Sequence, residues 1–198
     1  MMKLARAQRQ DTLPLLRLYR LCANQPQSTW NEYYPSPVEV REDLDFGGLY
    51  VLRDAHRIVA CASLILPEEG AETGDVFTPA SKPCALARLG VLPDCQGRGY
   101  GKAMLCSMLH VARAQGYDAV RLLVGADNAP AIHLYEETMR SMIRDIVQQS
   151  CNLACWVRYH KYDLEESLEE MIDQQPHAAK YIIAMNILMD DAEGSESP

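Results

Sequence analysis

Leu15, Leu18, Tyr19, Cys22 and Ala23 recur at i, i+3, i+4, i+7 and i+8, the stripe of a helix that buries one face. Residues 2–7 ahead of it read as a short strand, and Asp11 or Thr12 is placed to cap the helix start. Ser36-Pro37-Val38-Glu39 announces a second helix: it combines an N-cap serine, a proline at the first helical position and a capping-box glutamate. That helix ends near Gly47-Gly48. Residues 49–53 and 57–66 are rich in β-formers and flank the tight Asp54-Ala55-His56 turn, which predicts a hairpin. Residues 67–83 then form a long loop carrying Glu68, Glu69, Glu72 and Asp75.

The second half holds two strand-turn-helix units in succession, with no internal repeat visible in the sequence. A strand over 84–91 runs through a glycine-spaced turn into a helix over about 99–115, with Met104, Met108, Val111 and Ala112 on its core face and Gly116 as its stop. Val120, Leu122 and Val124 alternate as another strand, after which Asn128 caps a helix with Ile132, Tyr135 and Met139 on one face. Two strand-turn-helix units in succession predict an α/β sheet. Residues 141–148 and 154–163 form a candidate closing hairpin, although the first is also a passable helix. An acidic amphipathic helix over about 164–174, an apolar segment over about 177–189 and a polar end follow. The expected division is one domain over 1–163, an extension over 164–190 and a disordered tail over 191–198. Two apolar stripes in the extension (Leu164, Leu168, Met171 and Ile172, then Tyr181, Ile182, Met185 and Leu188) predict docking on the same domain or on a second copy in a homodimer.

Composition narrows the functional classes. The net charge of −8 is uneven: residues 163–198 hold ten acids against Lys180 alone, which leaves residues 1–162 at +1. A near-neutral body lacks the basic stripe of a nucleic-acid binder. No apolar run approaches the roughly 20 residues of a membrane helix. The seven cysteines contain no CxxC and the five histidines no HxxxH, so neither a metal site nor a disulfide framework is expected, and reduced thiols fit the cytoplasm.

The candidate chemistry lies in Gln96-Gly97-Arg98-Gly99-Tyr100-Gly101-Lys102, between a strand and a helix. Glycines there let a backbone approach a ligand, and the first N–H groups of the helix point outward to bind phosphate. The spacing is neither that of a dinucleotide fingerprint nor that of a Walker loop, and the residues alone are equally those of an ordinary glycine-rich turn.

The longer string 89–101, with Val91 and Pro93 ahead of the glycines, resembles the cofactor motif of the GNAT family of N-acetyltransferases. Asn128, Ala131, Leu134 and Tyr135 are similar to that family's second signature, and the resemblance covers roughly residues 2–163. It implies a mixed, mostly antiparallel sheet flanked by helices and direct transfer of an acetyl group from acetyl-CoA to a primary amine, with no metal. By the resemblance, backbone groups of Leu89 and Val91 would pair with the pantetheine arm, and a strand amide, Val91 for preference, would stabilise an oxyanion. Amides of Gln96, Gly97, Arg98, Gly99, Tyr100, Gly101 and Lys102 would hold the pyrophosphate, with charge added by Arg98 and Lys102. Asn128 would hold the pantetheine region, and Tyr135 would protonate the departing thiolate.

Two departures stand out. Glu137-Thr138-Met139-Arg140 follows the tyrosine in place of a glycine-phenylalanine pair. The strand ahead of the turn offers Ala85, Leu86 and Ala87 where many relatives carry a base, leaving Glu32 or Glu69 to act through water, or an acceptor that arrives deprotonated. The acceptor would be a small molecule or a peptide. A non-catalytic acyl-CoA-binding or regulatory domain is the alternative, and nucleotide-phosphate binding without acyl chemistry is a third. Trp30, Tyr33 and Tyr34 are either a pocket wall or a core lid, and Arg88 is expected to pair with a carboxylate.

Overall fold

The computed structural model describes residues 2–66, 80–125 and 127–148, together with 157–161 and 182–188. Strand β1 (Met2–Arg6) leads through a short turn into helix α1 (Thr12–Ala23), and α2 (Pro37–Phe46) precedes the hairpin β2 (Leu49–Asp54) and β3 (Arg57–Ile65). Strand β4 (Pro83–Val91) enters α3 (Tyr100–Ala114), and β5 (Ala119–Gly125) enters α4 (Ala129–Gln148). β6 (Val157–Lys161) and β7 (Ile182–Leu188) complete a seven-stranded sheet ordered β1-β2-β3-β4-β5-β7-β6. Every neighbouring pair is antiparallel except β4 with β5. The expected mixed, mostly antiparallel sheet flanked by helices is the one observed.

Local chemistry accounts for most element limits. Ser36 Oγ accepts from the Val38 N–H, and Glu39 reaches back to the Ser36 N–H at 2.7 Å, closing the capping box of α2. Gly47, at φ +76°, ends that helix in the left-handed conformation. Leu15, Leu18, Tyr19 and Cys22 are buried along one face of α1, as their spacing requires. Each buried leucine of this kind contributes about 1.5–3 kcal/mol relative to an exposed one.

Several expectations are corrected. The carboxylate of Asp11 does not cap α1; it accepts from the Gln8 N–H at 3.0 Å and from Arg53 at 2.7 Å, pinning the preceding turn to β2. On α3 the buried set is Met104, Leu105, Met108, Leu109 and Ala112, with Val111 only half-buried, because the helix packs on the sheet and on α4 at once. Residues 141–148 are helix and not a hairpin arm: no glycine follows Tyr135 to end α4, which therefore runs for 20 residues. Residues 182–188 lie between β5 and β6 as a strand, so the apolar stripe read there as part of an extension belongs to the sheet, beyond the boundary expected at 163. Short apolar runs do not separate helix from strand by periodicity alone. Residues 164–181 and 189–198 lie outside the described residues.

Neighbouring residues of β4 show where the layers sit. A Cβ placed on Gly90 would come within 2.9 Å of Leu18 on α1, whereas Val91 Cγ2 lies 3.7 Å from one placed on Gly101 in α3. Successive strand residues face opposite sides, so α1 and α3 cover opposite faces of the sheet. Among the described residues no helix is long and apolar enough to cross a membrane.

Candidate active site

The site begins as a gap in the sheet. β4 and β5 pair only between Pro83–Ala85 and Ala119–Arg121. Beyond that, β4 remains with β3 as far as Val91, and β5 remains with β7 as far as Gly125. The two parallel strands thus diverge into a wedge bordered by residues 86–91 and 122–125. Leu92 N–H donates to the Val59 carbonyl on β3 at 2.9 Å, so strand alternation turns the peptide groups of Val91 to the other edge, toward the wedge. The Val91 carbonyl accepts from Gln96 Nε2 and from Cys22 Sγ, both at 3.3 Å.

At the mouth of the wedge the chain turns through 93–99 into α3. Gly97 (φ +71°) and Gly99 (φ +81°) are both left-handed, and a Cβ on either would meet nothing within 4 Å. These glycines leave the backbone exposed to open space at the N-terminus of a 15-residue helix, an arrangement that suits a phosphate group. Gly101 has a second duty: a Cβ there would come within 3.1 Å of Leu134, so it sets the close approach of α3 and α4.

Side chains around the turn are partly committed. Tyr100 donates its hydroxyl to Asp54 at 2.7 Å, tying the start of α3 to the end of β2. Arg57 pairs with Asp94 at 2.8 Å on the same side. Lys102 pairs with Glu137 of α4 at 3.3 Å, an exposed contact worth little by itself. Arg98 and Gln96 are exposed at the rim. Asn128 caps α4 by accepting from the Ala131 N–H at 3.2 Å.

Tyr135 lies in the core, 8% exposed, one residue after the leucine that packs on Gly101. Burial pushes its phenol up to about 12. Glu32 is exposed on the α1–α2 connection, where its carbonyl is held by Arg20 at 3.0 Å. Glu69 lies outside the described residues. Leu89 is half-buried on the wedge edge of β4.

The sequence reading missed Asp43. It sits nearly enclosed on α2, where it accepts from Arg88 Nε at 2.7 Å, from Arg88 Nη2 at 2.5 Å and from Ser63 Oγ at 2.5 Å. Burial works against the charge on Arg88, but the Asp43 carboxylate outweighs it and holds the guanidinium proton more tightly than usual. Arg88 Nη1 donates to the Tyr34 hydroxyl at 3.2 Å. Trp30 packs edge-on to Tyr19 and lies over Gly90, forming a lid on the core, while Tyr33 is exposed. A signal for Asp43 did exist: Val40, Asp43 and Leu44 share helical spacing, so a carboxylate occupies a stripe position that otherwise goes to the core.

The model of the acetyltransferase (GNAT) family matches residues 15–139, more than half of the chain. A mycothiol acetyltransferase of Beutenbergia cavernae is 37% identical over 90 residues, which cover 46% of this chain and 27% of that protein. The chain spans about a third or less of the length of the curated relatives it matches. Among solved structures, a GNAT-family acetyltransferase from Streptococcus agalactiae superposes with a TM-score of 0.65 at 12% identity, over 96% of each chain. An N-acetyltransferase from Thermoplasma acidophilum in complex with coenzyme A gives 0.62 at 11% identity, over 96% of this chain and 99% of that one.

Proposed function

The chain belongs to the GNAT family of acetyltransferases, and from that premise we propose that it transfers an acetyl group from acetyl-CoA directly to a primary amine of a small molecule or a peptide. The observation that carries the reading is the pair of left-handed glycines, Gly97 and Gly99, whose missing side chains leave an open cradle at the start of α3 beside an unpaired strand edge. A phosphate-bearing ligand with an extended amide-containing arm is the shape that would use both features.

Acetyl-CoA, when bound, supplies the acetyl group as a thioester. Amides of residues 96–102 would hold its pyrophosphate, and the exposed Arg98 and half-buried Lys102 would add charge at the rim. Backbone groups of Leu89 and Val91 would bind the arm along the wedge, and the side chain of Gln96 would have to leave the Val91 carbonyl for the arm to use it. Tyr135 holds the proton that a departing thiolate needs. Glu32 and Glu69 are the candidate acceptors of the amine proton, and both would act through water.

Release of free thiol from acetyl-CoA in the presence of a panel of amines and peptide N-termini tests the reading. Thiol release that depends on an amine supports it, and release with none of the panel counts against transfer to amines. A second reading, an acyl-CoA-binding domain without turnover, is favoured by one observation: β4 carries Ala85, Leu86 and Ala87 where a base would stand. Acetyl-CoA binding without thiol release would select it.

A further inference from the structure

Among the described residues, two that are not glycine have a left-handed backbone. Ala55, at φ +53°, lies in the β2–β3 turn, where such geometry is ordinary; Arg88, at φ +52°, lies inside a strand. The register around it is irregular. Cys61 faces Gly90 and Ser63 faces Ala87, so Ala62 alone stands opposite both Arg88 and Leu89. This is a β-bulge, one extra residue in β4.

The bulge decides which way the strand edge faces. A strand alternates with a period of two, so one extra residue reverses the direction of every group that follows. With the bulge, Gly90 faces α1 and the peptide groups of Val91 face the wedge. Without it, the Val91 N–H would turn toward β3, and the group facing the wedge would be the Gly90 N–H, one residue out of place.

An arginine does not take this conformation by preference, and no glycine or asparagine stands at 88 to make it easy. What holds it is the fork of the guanidinium on Asp43, through Nε and Nη2, with the third direction closed by Tyr34. The side chains of Arg88 and Asp43 are 9% and 3% exposed, so neither is free to bind a substrate directly. Asp43 is itself anchored: its carboxylate takes Ser63 from β3, and its carbonyl accepts the N–H groups of Gly47 and Gly48 at the end of α2.

We propose that Arg88 is a positioning residue for acetyl transfer: its fork on Asp43 holds β4 in the bulge that aims the Val91 N–H into the β4–β5 wedge, where a thioester carbonyl would accept it. This rests on the acetyl-CoA reading above.

The test is a minimal pair, Arg88→Ala and Arg88→Gly, each combined with Asp43→Asn so that no unpaired charge is buried. The two differ by one methyl group and by the cost of a positive φ, which glycine escapes. The probe is acetyl-CoA labelled with ¹³C at the thioester carbonyl. Its infrared stretch, bound against free, reports the hydrogen bond to that oxygen, and calorimetry gives the affinity. The expected result is a lowered stretch on the wild-type chain, most of that shift lost with alanine and most of it kept with glycine, at closely matched affinities. A merely structural role predicts the reverse order, because glycine leaves the larger void. Equal shifts in both variants, or a glycine variant no better than alanine, overturn the proposal. If the alanine variant does not fold, Arg88→Leu, again combined with Asp43→Asn, takes its place, with the same expectation. Binding by the wild-type chain with no carbonyl shift removes this inference alone, whereas failure of the wild-type chain to bind acetyl-CoA removes the cofactor reading and the inference with it.

Discussion

Two left-handed stretches flank Val91, and they reach the same backbone conformation by opposite means. In the 96–99 turn, Gly97 and Gly99 adopt positive φ without steric cost and leave space beside the backbone. At residue 88 the same conformation is imposed on an arginine, at a cost of about 1–2 kcal/mol, and is offset by a buried ion pair that spans β4, α2 and β3. The first arrangement opens a surface to a ligand and needs no support. The second sets a direction and depends on two other elements, α2 and β3. The difference predicts that damage at the turn is felt in binding, whereas damage at the bulge is felt in stability and in the wedge.

The largest effect is expected from removing the support of the bulge alone. Asp43→Ala leaves Arg88 buried without its partner, and loss of one member of a buried pair costs about 3–5 kcal/mol. Denaturant unfolding should show it directly, and a midpoint equal to wild type would mean that the bulge holds itself.

Tyr135→Phe comes next. The ring keeps its packing, the fold persists, and turnover should fall about 10²-fold while coenzyme A affinity is retained. A matching loss of affinity would place Tyr135 in binding and blur the separation between turn and wedge.

At the turn, Gly99→Val should weaken coenzyme A binding by about tenfold or more, from roughly 1–2 kcal/mol of backbone strain together with a side chain in the cradle. Gly99→Asn tolerates the left-handed conformation better and should weaken it less. Equal losses would assign the effect to occupied space and not to φ.

The smallest effect is set by pH. Burial pushes the Cys22 thiol up to about 11, and burial pushes Tyr135 up to about 12. As pH rises from about 8.5, where a free thiol ionises, and then past about 10 for a phenol, the unfolded chain loses protons that the folded chain keeps. The unfolded state then binds fewer protons, so stability falls with rising pH through about 12. Unfolding midpoints at pH 8 and 10.5 should show the fall, and Cys22→Ala should make it shallower without abolishing it, because burial also pushes up the Cys61 and Cys84 thiols. An unchanged slope in that variant would remove Cys22 from the account.

Local features were legible in residue order alone. The capping box at 36–39, the stripe on α1, the alternation of β5 and the glycine spacing at 97–101 are each decided by neighbours a few residues away, and each element formed where its pattern placed it. The order of these elements, with the two motifs, already pointed to the sheet class and to a glycine turn between β4 and α3. Tertiary structure decided the rest. Whether 182–188 became a strand depended on an unpaired edge of β5 being available to it, since its apolar run suits either helix or strand. The bulge at Arg88 joins residues 45 and 54 positions apart in sequence, Asp43 and Tyr34, and no local rule puts an arginine at positive φ. Short-range geometry reaches only as far as one turn of helix or one pair of strands, whereas the wedge exists because β3 and β7 draw β4 and β5 apart from opposite sides.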